Sequence, residues 1–384
     1  MIYLDNNATT SVAPAVFEAM IPWLTEHYGN PSSLYPGAKF AKKAVEESRE
    51  KVAALLGCQP KQIVFTSCGT ESDNAAILSA LRRTRRRHLV TSRTEHSAII
   101  KLCGWLERNG HAVVYAPVAE DGRVSLAALE SLVRQDTAIV SVMWANNETG
   151  VINPVLEIAH WCHNRGLLFH TDAVQVPGKI PLNLSDTPVD FLAISGHKFH
   201  APKGIGALYI REPEKFTPLL FGGSQENGLR AGTEPVAQIV GFGVAAELAL
   251  ENLNREATHT AKMRDHFEQI ILKKIAGARI NGSLQHRLPN TSSITIPGLN
   301  AARAVEELGE QGLCISAGSA CTSGSGTASH VLTAMGLSEN DARATLRFSW
   351  CADNTLEESD RAIEMVASYV AARCRNAHAA PAIA

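Results

Sequence analysis

The stretch DFLAISGHKFHAPKGIG, Asp190–Gly206, decides how the rest of the chain is read. Its first half is apolar on both faces, as a strand buried inside a mostly parallel sheet must be. The run ends at Ser195-Gly196-His197, and Lys198 follows at once. A lysine at the carboxyl end of such a strand can form a Schiff base when its amine is deprotonated part of the time. Ser195 and His197 flank it and can hydrogen-bond an anion. A lone lysine is far more often a solvated surface charge, so Lys198 gains weight only from its company.

Upstream, FHTDAVQ (Phe169–Gln175) is another apolar strand that ends in an acid, Asp172, with Gln175 three residues on. Open α/β sheets bind ligands beyond the carboxyl ends of their strands. A carboxylate there can pair with a protonated ring nitrogen and make a pyridine ring a better electron sink; a turn or capping aspartate accounts for Asp172 alone about as well. Further upstream, TSCGTESDNAAILSAL (Thr66–Leu81) passes from a strand through a small-residue turn into a helical pattern near Thr70. A helix start offers free N–H groups and a positive dipole end to a phosphate. Gly69 lets the backbone approach closely and Thr70 adds a hydroxyl, although by itself the stretch reads more readily as an ordinary N-cap.

Downstream, SAGSACTSGSGTASH (Ser316–His330) has no apolar period and reads as an exposed, flexible loop carrying Cys321. A thiolate placed there can attack sulfur. Cys314, in the apolar run LCISA, reads as a buried small hydrophobe. A phosphate cradle, a pyridinium partner and a Schiff-base lysine, in that order and each at a strand end, together describe a site for pyridoxal 5'-phosphate (PLP).

Seven strands are expected at about 63–66, 88–91, 112–116, 138–142, 167–170, 191–194 and 206–210, with helices between most of them, after two helical stretches at about 13–27 and 37–56. One long helical stretch, about 236–275, leads to the runs TSSITI, AARAVEEL, LCISA and TLRFSW, a smaller α+β portion. The expected division is 1–260, a large PLP-binding α/β domain whose N-terminal arm packs on the small domain, and 261–384, a small α+β domain carrying the cysteine loop.

Composition narrows the function classes. At 384 residues, 45% hydrophobic and a formal net charge of −2, the chain has no global attraction for nucleic acid or anionic membrane. The start MIYLDNNATT is not a secretory signal, and no apolar run reaches about 18 residues, so no membrane is expected and the cytoplasm is the expected place. Eight cysteines without a CxxC pair suggest neither a zinc site nor a disulfide framework. The basic run Arg82–His88 reads as a solvated helix end, and His160 and His163 as structural.

On these four motifs the sequence resembles the NifS/IscS-type cysteine desulfurases, within the aspartate-aminotransferase fold (fold type I) of PLP enzymes, from YLDNNATT to the last strand. The resemblance implies a mostly parallel sheet flanked by helices plus a smaller α+β domain, PLP as cofactor, and removal of sulfur from L-cysteine to give L-alanine and a persulfide on Cys321. By the same resemblance His96 in TEH stacks on the cofactor and serves acid–base steps. Asn147 in ANNETG reaches cofactor or substrate, Gln175 bonds the phenolic oxygen, Arg347 in TLRFSW clamps the substrate carboxylate, and Asn30 in YGNPSS lies near the substrate. Thr233 in GLRAGTEP reaches the phosphate of the neighbouring subunit, which implies a homodimer.

A sulfur-acceptor protein, an iron–sulfur scaffold above all, is the implied partner; no resident metal is implied, Cys321 being the residue a transferred iron–sulfur cluster would take as ligand. The segments WANNETG and GTEP look most similar to the NifS type. Ser224 and Asn227 depart from the bulkier or basic residues of relatives, and the C-terminal extension of housekeeping members is missing. Two alternatives stay open: another PLP reaction such as selenocysteine lysis, β-lysis or transamination, and an interaction protein that kept the fold without the chemistry.

Overall fold

The computed structural model describes residues 1–318 and 328–378, and of 374–378 only the backbone. A short strand β1 (Ile2–Tyr3) is followed by helices α1 (Pro14–Thr25) and α2 (Pro36–Leu56). Strands and helices then alternate: β2 (Ile63–Thr66), α3 (Gly69–Thr84), β3 (His88–Ser92), α4 (Ser97–Arg108), β4 (Ala112–Ala116), α5 (Leu126–Glu130), β5 (Thr137–Ser141), α6 (Val155–Asn164), β6 (Leu168–Asp172), β7 (Phe191–Ser195) and β8 (Gly206–Ile210). The seven strands β2 to β8 form one sheet in the order β2-β8-β7-β6-β5-β3-β4. Only β8 runs against its neighbours.

Alternate residues of each strand feed opposite cores. Phe65, Val90, Val140 and Ile194 face the core completed by α1, α2 and α6. Val64, Leu89 and Ile139 face the one completed by α3 and α4. Both faces are therefore covered, which is why these strands read as continuous apolar runs rather than as alternating ones.

The remaining elements are α7 (Val236–Glu251), α8 (Leu253–Lys274), β9 (Arg279–Ile280), β10 (Thr291–Thr295), α9 (Ala301–Glu310), β11 (Leu313–Cys314), β12 (Ser316–Ala317), α10 (His330–Ala334), α11 (Glu339–Arg343), β13 (Thr345–Ser349) and α12 (Leu356–His378). Strands β12-β13-β10-β9 form an antiparallel sheet. Its core gathers Met263, Phe267, Ile294, Leu308, Phe348, Trp350 and Ile363, with the rings of Phe267 and Phe348 4.5 Å apart. Strand β1 pairs with β11, so Ile2 and Leu4 join this second core although they open the chain. Residue 260 falls within α8, whose Met263, Phe267 and Ile271 belong to the same core.

Several expectations change. The stretch 236–275 is two helices bent by 71°. Asn252 breaks it: both its backbone N–H and its side-chain amide donate to Leu248 O (3.0 and 2.9 Å), so the asparagine ends the first helix instead of continuing it. LCISA is not one strand; β11 pairs with β1 and β12 with β13, and Cys314 is only half-buried. The basic run from the last turn of α3 to β3 is more than a solvated end: Arg82 donates to Pro218 O, Arg83 pairs with Glu212, Arg86 donates to Thr137 O, and His88 is buried in β3. Among the described residues no single helix is long and apolar enough to cross a membrane, and no group of three or more His, Cys, Asp or Glu side chains is placed to hold a metal ion.

Candidate active site

A cavity of about 510 Å³ opens at the carboxyl ends of β6 and β7 and beside the start of α3. Gly69, Thr70, His96, Asn147, Asp172, Gln175, Ser195, His197, Lys198 and Arg347, drawn from across the chain, all line it. The sheet explains the convergence. Parallel strands end on the same edge, and the turns that follow them meet in one crevice.

Lys198 is in the turn just past β7, where its Nζ donates to Asn7 O and Ala8 O (2.7 and 2.8 Å). His197 Nδ1 lies 3.2 Å from Thr9 Oγ1. Burial and then the charge of Lys198 push the His197 imidazolium down to about 4, so the ring is neutral near neutrality. At the end of β6, Asp172 Oδ1 accepts the Val174 N–H (2.9 Å). Burial raises the acid of Asp172, against the pull of His96, that hydrogen bond and Lys198.

Two further buried carboxyls stand behind it. Glu95 accepts from Ser92 Oγ (2.6 Å) and Met143 N (2.9 Å), and burial pushes it up to about 8. Asp73, 1% exposed, is raised well above the usual carboxylate range, first by burial and then by the charges of Asp172 and Glu95. Three such groups cannot all ionise together. Of the three, Asp172 is the one that also has Lys198 opposite it in the cavity.

Cys68, the N-cap of α3, makes no capping bond with its side chain, so the first turn of that helix is open to the cavity. Gly69 serves packing as much as ligand access: a Cβ there would lie 2.6 Å from Val174 Cγ2, on the turn that follows Asp172. Glu71 pairs with Arg230 (2.9 Å) and so ties the segment bearing Thr233 to the same helix start. His96 caps α4, its Nδ1 accepting the Ala98 N–H (3.2 Å); this leaves the proton of the neutral ring on Nε2. Arg347, 1% exposed, donates to Asp5 Oδ1 (2.7 Å), Ser316 Oγ (3.0 Å) and Asn147 O (2.9 Å), while its Nε is buried without a partner.

Not every expected residue arrives. Asn30 is exposed outside the cavity, its side-chain oxygen accepting the Ser32 N–H. Thr233 is exposed as well and does not line it. Cys321 lies outside the described residues. The residues on either side of its segment are at the site: Ser316 bonds Arg347, Ser329 Oγ donates to Glu148 Oε2 (2.5 Å), and His330 Nε2 lies 2.9 Å from Glu95 O.

Sequence reasoning missed Asn7, Asp73, Glu95, Glu148 and His330, all of which line the cavity. A signal existed for some. Asp73 follows Thr70 by three residues and so shares its helix face, and Glu95 and Glu148 sit inside the motifs TEH and ANNETG. Nothing in the sequence marks Asn7, which comes in from the far end of the chain.

Comparison with known proteins adds to this geometry. The family model described as aminotransferase class-V matches residues 2–361. A cysteine desulfurase of Nostoc sp. is 49% identical over 371 residues, 96% of this chain and 93% of its own length. The cysteine desulfurase NifS of Azotobacter vinelandii is 45% identical, over 96% of this chain and 92% of its own. Among solved structures, a NifS-like protein superposes with a TM-score of 0.90 at 39% identity, over 96% of this chain and 99% of its own. Fold, cavity and relatives agree, and the chain belongs to the class-V aminotransferase family as a cysteine desulfurase of the NifS/IscS type, an enzyme that takes sulfur from L-cysteine.

Proposed function

We propose that this cavity holds PLP on Lys198 and that the substrate sulfur passes to Cys321, leaving L-alanine. The observation that carries the reading is that Lys198 faces the same cavity as the buried Asp172 and the uncapped start of α3. The residues present fit the cofactor. Ser195 Oγ is buried without a hydrogen-bond partner, and with Gly69, Thr70 and His197 it supplies donors suited to a phosphate. The raised acid of Asp172 is the state of a buried carboxyl that lacks a full counter-charge, which a pyridinium nitrogen provides. Asn147 and Gln175 would hold the ring's polar edge, and His96 its face.

When bound, PLP takes up the electron pair left by loss of the substrate Cα proton. The chain's own groups do the rest. Arg347 offers a planar fork to the substrate carboxylate, with Asn147 beside it. Lys198 Nζ accepts and returns protons, and His96 Nε2, which carries the ring proton, donates one. Cys321 thiolate attacks the substrate sulfur: the substrate C–S bond breaks, an S–S bond forms, and L-cysteine plus a thiol become L-alanine plus a persulfide.

The exposed apolar side chains of the N-terminal helices, Phe17 (57% exposed) and Leu24 (59%), with Tyr28 (84%) and Leu34 (87%) between them, support a homodimer in which Thr233 serves the neighbouring site and Asn30 lies near a substrate. The persulfide would go to an acceptor protein of the iron–sulfur scaffold kind in the cytoplasm.

The test is to supply L-cysteine and a reductant to the purified protein and to Cys321→Ala, assaying alanine and sulfide. The parent should make both and the variant neither; sustained sulfide release by the variant would remove Cys321 as nucleophile.

A further inference from the structure

Among the described residues Lys179 is the one buried lysine, and the proposed function gives it no task. It is 5% exposed, and its Nζ donates to both Gln175 O and Gln175 Oε1, each at 3.2 Å. Gln175 Nε2 in turn donates to Asn7 O (2.9 Å). That same carbonyl accepts from Lys198 Nζ. Two amines are thus joined through a single amide side chain and a single carbonyl oxygen. Both also line a second cavity, of about 230 Å³, together with Glu256, Cys351 and Asp353.

This arrangement has two consequences. An ammonium group only donates, whereas a glutamine amide presents either oxygen or nitrogen. Lys179 therefore holds Gln175 Oε1 towards itself and turns Nε2 towards Asn7, fixing which end of the amide can donate into the cofactor cavity. The second consequence is electrostatic. Burial, and after it the charge of Lys198, brings the Lys179 amine down to about 7, with Glu256 from α8 and Cys351 opposing. The repulsion is mutual: Lys179 disfavours a proton on Lys198, against the attraction of Asp172 across the cavity.

We propose that Lys179 is a positioning residue for Lys198, locking the Gln175 amide and competing with Lys198 for a proton, so that the cofactor lysine's Nζ is available as the neutral nucleophile whenever Lys179 holds it. Only that form adds to the PLP aldehyde carbon: the Nζ lone pair makes the C–N bond, the aldehyde oxygen leaves as water, and nothing is oxidised or reduced. The proposal rests on Lys198 being the cofactor lysine.

The measurement is a pH titration of the absorbance of bound PLP in the parent, Lys179→Met and Lys179→Arg. The midpoint reports loss of the proton from the nitrogen that Lys198 shares with the cofactor. Removing a neighbouring cation makes that proton harder to lose, so the Lys179→Met midpoint rises by about 1 pH unit, a tenfold change. Lys179→Arg carries its charge at every pH and titrates at or below the parent midpoint. Equal midpoints in the parent and Lys179→Met overturn the proposal.

A reciprocal measurement does not depend on Lys179→Met folding. Competitive acylation of Lys179, read by mass spectrometry across pH, should show its midpoint rising in full-length Lys198→Ala, and an unmoved midpoint overturns the coupling. Retention of the covalently bound PLP absorbance by Lys198→Ala overturns the cofactor reading itself, so the two failures are distinguishable.

Discussion

At the scale of single residues, the site is a set of charges kept apart by burial. Arg347 shows what this requires. Its guanidinium is held from three sides by Asp5, Ser316 and Asn147, which fixes the fork before any substrate arrives and lowers the ordering cost of binding. Lysine cannot reproduce a planar bidentate contact. Arg347→Lys should raise KM for L-cysteine by about 10- to 100-fold, with the PLP absorbance retained. An unchanged KM would remove Arg347 from the carboxylate site. At this scale Lys198 and Asp172 could be read from strand-end chemistry, whereas His96 and Arg347 came only from the family resemblance of TEH and TLRFSW. Their protonation states could be read from neither. Those depend on Asp73 and Glu95 standing behind Asp172, a neighbourhood assembled from α3, the turn after β3 and β6.

At the scale of elements, buried ion pairs decide how pieces distant in the chain dock. Arg49 of α2 forms a two-pronged pair with Glu226 (2.7 and 2.9 Å), both side chains at most 4% exposed. Glu226 also accepts the Phe65 N–H of β2 (2.8 Å), and its backbone is left-handed, with φ of 49°. This carboxylate therefore pins the segment leading to Arg230 and Thr233 onto α2 and β2. Glu226→Ala leaves the buried Arg49 guanidinium with only the half-exposed Glu46 (3.1 Å) as counter-ion and should cost about 3–5 kcal/mol in urea unfolding. A loss under about 1 kcal/mol would show that water or Glu46 replaces the pair. Strand positions in the large sheet were readable because runs apolar on both faces have few other places to go. The break at Asn252 and the division of LCISA were not, since each turns on which hydrogen-bond partner the folded chain offers locally.

At the scale of the whole molecule, the N-terminal helices present apolar side chains to solvent on one protomer. If a second copy covers them, a charge placed there meets a desolvated apolar surface. On the proposed homodimer, in which Thr233 serves the neighbouring site, Phe17→Asp combined with Leu24→Asp should give a monomer in light scattering and reduce alanine formation at least tenfold. A variant that stays dimeric at full activity would place the interface elsewhere.

The sequence by itself determined the alternation of strands and helices, the strand-end positions of Lys198 and Asp172, and through these motifs the family and its reaction. Hydrophobic period and strand-end chemistry are local properties, written within a few residues of each other. Only the tertiary structure decided that Asn7 would share its carbonyl between Gln175 and Lys198, that Ile2 and Leu4 would join the second core, and that buried Lys179 would be linked to Lys198 through Gln175 and Asn7. Those facts depend on contacts between segments more than 150 residues apart or on the burial they create, and burial together with the charges it gathers tunes the groups on which the chemistry runs.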